Sequence, residues 1–301
     1  MKKVVLDFSL NPDTPVEFGA WVNEGKNTNA YSIQAKSKVQ RALREMLLET
    51  IASMEKFEKE PEEFSPTEPN MGTKYIVANA GEYDSRIRKI HEANNLTQNQ
   101  ECLKKPEILI GYFARFTDKE NRRLTAVRNA TQFKGVVKKK LIRLGLDSLE
   151  LVKDHIFKLD TDFDLIIDSI RTHILRPGSF VALGKLNASI MSSVSTNVDY
   201  VKEELPFVEF DEIEEYAKSH VSAAKSLAAI RKQMLKDIDK QMLKAEFAKN
   251  EIGFQENNGK MSPEPGGVTP FLAVLDRRRF VVELIKGHPE KYMAPSRRKI
   301  N

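Results

Sequence analysis

From Ile108 to Leu175 the sequence is a succession of short β-prone stretches separated by turn residues. Ile108–Thr117 and Arg122–Arg128 predict a hairpin across Asp118-Lys119-Glu120-Asn121. Leu149–Val152, Ile156–Leu159, Phe163–Ile167 and Thr172–Leu175 continue the series. Parallel neighbours need long crossovers, usually helical, and the connections here are too short and turn-like for that. The spacing therefore predicts an antiparallel meander sheet. Pro177-Gly178-Ser179 then marks a turn and a helix start.

The flanks have a different character. Val4–Phe8, Ala20–Asn23 and Ala30–Ile33 predict short strands. Ser37 is a candidate N-cap for a helix to about Phe57, because Val39, Leu43, Met46, Leu47, Ile51 and Met54 keep helical spacing. An acidic, Pro-containing stretch follows from Glu55 to Glu68; Thr73–Ala78 then predicts a strand and Tyr83–Asn94 a short helix. After Phe180 helix formers dominate. Asp211–Ala248 predicts helix broken near Ser219, with Leu227, Ile230, Met234, Ile238 and Met242 as its apolar stripe. Lys232, Lys236, Lys240 and Lys244 form a second stripe, read as an ordinary solvated face. Gly253 to Pro270 reads as a mobile loop. Order resumes at Phe271–Leu275 and Phe280–Ile285, around Arg277-Arg278-Arg279. The expected fold class is α+β: a mixed N-terminal region over 1–104, then a domain over 105–301, strand-rich to 180 and helical after it.

The 301 residues suffice for one large domain or two ordinary ones, and 30% charged with 41% hydrophobic residues fits a solvated, folded chain. No apolar run approaches the ~18–20 residues that span a bilayer. Met1 to Asp7 lacks the apolar region of a signal peptide, and Cys102, the sole cysteine, excludes an intrachain disulfide. A cytoplasmic protein is the expectation, one that meets a membrane through its surface or a partner.

Charge is unevenly distributed. Arg115 to Arg143 holds ten Lys/Arg against Asp118 and Glu120, an excess of eight, while the whole chain carries only +5. A field this concentrated points to a polyanion, most commonly nucleic acid. The candidate phosphate contacts are Arg122, Arg123, Arg128, Lys134, Lys138, Lys139, Lys140 and Arg143. Cations that neutralise phosphates release counterions, which supplies affinity without sequence preference. The competing reading is a basic face that pairs with acidic protein surface. Glu203 to Glu215, with seven acids and no base, is such a surface and makes a homo-oligomer plausible.

Catalytic patterns are weaker. Asp160, Asp162 and Asp164 alternate, but a calcium loop counted from Asp160 would need Gly and Glu where Leu165 and Arg171 stand. Asp7 with Glu24-Gly25-Lys26 resembles the carboxylate pair and lysine of a metal-dependent nuclease, except that Gly25 and the Asn-rich stretch after it read as a turn. Gly259-Lys260-Met261-Ser262 lacks the first glycine and the hydroxyl of a phosphate loop. The five histidines show no ligand-pair spacing, and no nucleophile elbow occurs. The sequence thus specifies no metal, cofactor or catalytic residue, and binding is favoured over chemistry. A metal-dependent nuclease and a non-catalytic assembly protein stay open as alternatives.

Three stretches carry a resemblance. They are Val127-Arg-Asn-Ala-Thr-Gln-Phe-Lys-Gly-Val-Val137 running into Lys138-Lys139-Lys140, Ile156 to Ile167, and Ile174-Leu175-Arg176-Pro177-Gly178-Ser179-Phe180. Phe271 to Arg298, with Leu275-Asp276-Arg277 and Tyr292…Ser296-Arg297-Arg298, adds to it. Together these resemble the KwaB-type family of the Kiwa bacterial antiphage defence system, over roughly 105–300. The resemblance implies a cytoplasmic DNA-binding effector that suppresses phage DNA replication or expression without cleavage. It implies a membrane partner, the small multi-pass protein KwaA, that recruits it to the inner membrane. It carries no catalytic positions.

Overall fold

The computed structural model describes residues 6–25, 27–56, 60–67, 76–105, 107–130, 142–144, 149–151, 159–233, 235–285 and 288–294; side chains of 142–144, 149–151, 283–285 and 289 are not included. The chain is α+β and divides into two compact units, Met1–Glu63 with Lys74–Gly184, and Phe64–Thr73 with Lys185–Asn301.

The first unit runs β1 (Val16–Glu24), β2 (Asn27–Ile33), α1 (Ser37–Glu55), β3 (Glu62–Glu63), β4 (Ile76–Asn79), α2 (Ser85–Glu92), β5 (Leu109–Thr117), β6 (Arg123–Asn129), β7 (Ile142–Leu144), β8 (Leu149–Leu151), β9 (Leu165–Ile167), β10 (Arg171–Ile174) and α3 (Pro177–Gly184). Eight strands form one sheet in the order β2-β1-β5-β6-β9-β10-β4-β3, and only the β3–β4 pairing is parallel. The predicted meander is present as β5-β6-β9-β10. Two expected strands differ. Leu149–Leu151 pairs with Ile142–Leu144 in a separate ribbon and does not join the meander. Leu6–Phe8 is not a strand. Val4, Val5, Val152 and 156–158 lie outside the described residues.

The division expected at 104/105 does not coincide with the compact units. β1 pairs with β5, from Val16↔Phe116 to Trp21↔Gly111, so the N-terminal strands and the meander share one sheet. β5 is interior and buried on both sides, which is why Leu109 to Phe116 shows no alternation. On one face Phe18, Ala20, Tyr112, Phe116, Leu124, Ala126 and Ile166 pack with Leu43, Met46, Leu47 and Met54 of α1. The opposite face carries α2 and α3. There the Phe113 ring lies over Gly19, where an added β-carbon would stand 2.0 Å from Phe113 Cζ. The Arg86 guanidinium sits 4.9 Å from the centre of the Trp21 ring.

The second unit is mainly helical: α4 (Asn187–Ser192), α5 (Val194–Glu204), α6 (Asp211–Ser219), α7 (Val221–Arg231), α8 (Lys240–Lys249) and α9 (Val268–Leu275), with hairpins β11 (Phe254–Asn257)–β12 (Lys260–Pro263) and β13 (Arg279–Ile285)–β14 (His288–Met293). Buried Ala223, Ala224 and Ala228 are short enough to let α7 pack against α4, α5, α6 and α9. The predicted break near Ser219 is present, and a second break after Arg231 splits the lysine stripe. Lys240 and Lys244 both pair with Glu256, in keeping with a solvated face. The segment expected to be a mobile loop is instead the β11–β12 hairpin. Its turn, Asn258-Gly259, takes φ 51° and 78°, the mirror-image geometry that suits the twist of paired strands.

Candidate nucleic-acid interface

The basic region opens with the β5–β6 turn. Asp118 is buried there; its Oδ1 accepts from the amides of Glu120 (3.0 Å) and Arg122 (2.9 Å), and its Oδ2 from Arg122 Nε at 2.8 Å. Burial works against the charge, but the hydrogen bonds from Arg122 and Ser9 outweigh it and hold the carboxyl below its usual range. Arg122 also pairs with Asp7 and Glu120.

Arg123 and Arg115 project from the sheet face under α2. Arg123 donates to the carbonyls of His91 (2.9 Å) and Ala93 (3.2 Å). Buried Arg115 donates to those of Ile90 and Ala93 and pairs with Glu17. Two guanidinium groups thus satisfy the last carbonyls of α2, where a cation is favoured by the helix dipole.

Arg128, next to last in β6, lies on the α1 face and is 5% exposed. It meets Asp160 and Asp162 at 3.1 Å each and Asp164 at 2.7 Å. Arg176 binds Asp164 at 2.7 Å and Asp162 at 2.9 Å from the other side. Tyr112 Oη donates to Asp160, and the Asn129 amide to Asp164 at 2.9 Å. Burial raises the Asp164 pKa, opposed by the Asn129 amide, a Ser179 hydrogen bond and Arg128. Burial likewise pushes the Tyr112 phenol well above its ordinary value. The three aspartates that suggested a metal converge on guanidinium groups instead: Arg128 occupies the position a cation would take.

Three of the eight expected contacts, Arg122, Arg123 and Arg128, are therefore engaged inside the fold, and Arg128 has no open face to offer a phosphate. Lys134, Lys138, Lys139 and Lys140 lie outside the described residues. Arg143 sits on β7 opposite Glu150, its side chain not described. The acidic run is also largely matched locally: Glu204 with Lys236, Glu209 with Lys260, Asp211 with Lys202, and Glu214 and Glu215 with Lys218.

The nuclease-like residues do not converge. Asp7 is tied to Arg122 at the Val16 end of β1, and Glu24 closes the other end, ~26 Å along the strand. Glu24 accepts from Asn29 and Tyr31, and Gly25 takes φ 64° in a turn. Lys26 lies outside the described residues. Among the described residues no cluster of three or more His, Cys, Asp or Glu is arranged to hold a metal, and no helix is long and apolar enough to cross a membrane.

Residues 108–284, from the start of β5 to β13 and more than half of the chain, match the profile of the family described as Kiwa protein KwaB-like. The chain belongs to the KwaB-like family. Family membership implies a component of the Kiwa antiphage defence system. No curated protein and no solved structure matches this KwaB-like chain. The matched span contains the meander, the Arg128–aspartate cluster and the whole basic segment. Sequence reasoning missed Tyr112 and Arg176 as partners of that cluster. The signal available was the odd charge arithmetic: three aspartates in five residues flanked by apolar strand, a pattern that needs buried cations.

Proposed function

We propose that this KwaB-like protein is a DNA-binding effector of Kiwa defence, one that grips the phosphate backbone and suppresses phage DNA replication or expression without cutting. The contacts are Lys134, Lys138, Lys139, Lys140 and Arg143. The observation that carries the reading is the charge density: these five cations fall within ten residues with no acid among them. Arg115, Arg122 and Arg128, around the β5–β6 turn, are paired with carboxylates, which largely offsets their contribution to the outward field, and Arg123 is held by backbone carbonyls. The positive charge is therefore densest along the chain in 134–143, which lies in sequence between β6 and β9. Sequence-independent affinity is the expected consequence. The protein acts as a homo-oligomer with a KwaA-like membrane protein, which brings it to the inner membrane.

A mobility-shift titration with duplex DNA, single-stranded DNA and RNA at two salt concentrations tests the binding. Tight, steeply salt-dependent retention of duplex DNA is expected, and salt-independent or absent binding would refute it. Incubation with plasmid and Mg²⁺ or Mn²⁺ tests the rest: shifted, intact DNA is expected, and nicked or linear product would overturn the non-cutting mechanism.

A further inference from the structure

A cavity of about 310 Å³ opens in the second unit between α8, α9 and β13. Met242, Leu243, Val274, Leu275 and Phe280 supply its apolar wall, and Arg277 lines it as well. The wall continues onto the surface. Met242 is 57% and Phe280 42% exposed, and the Phe280 ring stacks on exposed Tyr292 at 5.8 Å. Monomeric folds rarely leave so many large apolar side chains contiguous without a ligand to cover them.

Arg277 supplies a second, independent observation. α9 ends in a motif where the Arg278 amide reaches the Ala273 carbonyl and the Arg277 amide that of Val274, both at 2.9 Å. The residue between must turn left-handed, and Arg277 does so at φ 52°. Glycine is the residue this position favours, and any β-carbon there costs about 1 kcal/mol. The neighbouring arginines are used by the fold: Arg278 binds Asp276 and Ser226, and Arg279 reaches the Asn250 carbonyl. Arg277 is exposed and has no side-chain partner among the described residues. The one carboxylate lining the cavity, Glu246, lies 3.7 Å from Lys249. A strained position thus holds an unmatched guanidinium beside an apolar cavity.

We propose that this cavity binds an anionic amphiphile, its apolar tail between α8 and α9 and its carboxylate or phosphate head on Arg277. The volume lies at the small end of ligand sites, which suits one chain and not a large ring system. A guanidinium beside an apolar wall is the arrangement that separates an acid from a neutral or cationic molecule with the same tail. The head group has two sources, a free fatty carboxylate or a membrane phospholipid.

Calorimetric titration of the full chain with dodecanoate below its micelle concentration tests the proposal, with dodecyltrimethylammonium as the same tail bearing the opposite charge. Saturable binding of one dodecanoate per chain is expected, and weak or absent binding of the cation. Arg277→Gly should weaken dodecanoate by at least about tenfold, the loss of one charge-assisted pair. The same variant should melt no lower than the parent, because glycine relieves the left-handed position. Met242→Glu, at an exposed site, should weaken binding without unfolding. Sedimentation with vesicles with and without phosphatidylglycerol separates the sources: co-sedimentation lost in Arg277→Gly assigns the head to a phospholipid, and binding of dodecanoate alone assigns it to a free acid. No saturable binding of either, equal binding of the cation, or unchanged affinity in both variants overturns the site.

Discussion

The Arg128 guanidinium lies 2.7 Å from the Asp164 carboxylate, across the gap where the chain leaves β6 and returns to β9. The Asp164 amide bonds the Val127 carbonyl at 2.9 Å, and Leu175 and Arg176 donate back to the Asp164 carbonyl. The end of β6 and the start of β9 are therefore stapled by main chain and by buried charge together. Removing one partner leaves the others buried and uncompensated. Asp164→Ala should cost about 3–5 kcal/mol in urea unfolding. Replacing Arg128 and Asp164 together by Met and Leu should cost less than that single change, and a loss under about 1 kcal/mol for Asp164→Ala would contradict the staple.

The proposed phosphate contacts and the scaffold arginines should respond differently to mutation. Reversing Lys138, Lys139 and Lys140 to Glu should weaken duplex binding on every sequence and flatten the log–log salt slope by about 3, near 0.9 for each phosphate no longer neutralised. Arg123→Ala should instead lower the melting temperature, since it uncaps α2, and leave that slope as it was. A slope unchanged by the triple reversal removes the segment from the interface.

Gly19 is a packing requirement. Alanine there would drive a β-carbon into the Phe113 ring, which is fully buried and has nowhere to move. Gly19→Ala should destabilise by about 1–3 kcal/mol or more. Adding Phe113→Leu should recover part of that loss, so a double-mutant cycle in denaturant should be clearly non-additive.

His91 makes stability depend on pH. Burial, reinforced by Arg88, Arg123 and Arg115 and opposed by Asp168, lowers its pKa from 6.5 to about 4, and its Nδ1 lies 3.0 Å from Thr125 Oγ1. The unfolded chain therefore binds this proton more readily. The contribution is complete above pH 6.5 and is lost as pH falls towards 4, by on the order of 3 kcal/mol. His91→Gln should flatten the melting temperature between those values. A further loss below about 3.8 should persist in that variant. It belongs to Asp168, which burial would raise but which His173 and the Ile170 and Arg171 amides hold at about 2.

Local chemistry made part of this legible. The β5–β6 hairpin, the meander order and the break at Ser219 follow from turn residues and periodicity within a few positions. The pairing of β1 with β5 does not, because its partners are roughly a hundred residues apart and Gly19 interrupts the apolar pattern of β1. The β11–β12 hairpin had a readable signal, Asn258-Gly259, obscured by the surrounding glycines and prolines. The pairing of Arg128 was hidden for a related reason. Its excess charge is cancelled by aspartates 32 to 36 positions further on, and net charge counted along a window is blind to partners outside it.

The sheet ends in two edges, and each is short of open main chain. At one, Ser32 already exchanges hydrogen bonds with Thr97 and Asn99, which among the described residues of β2 leaves the Thr28–Ala30 stretch with peptide groups facing outward. At the other stands β3, two residues long, and both are glutamates. Neither offers the five or six residues of a usual strand, and like charges meet at the second if two copies approach. Growth of this eight-stranded sheet from chain to chain is therefore disfavoured at both described edges, and each guard, Ser32 at one and the Glu62–Glu63 pair at the other, can be altered one residue at a time.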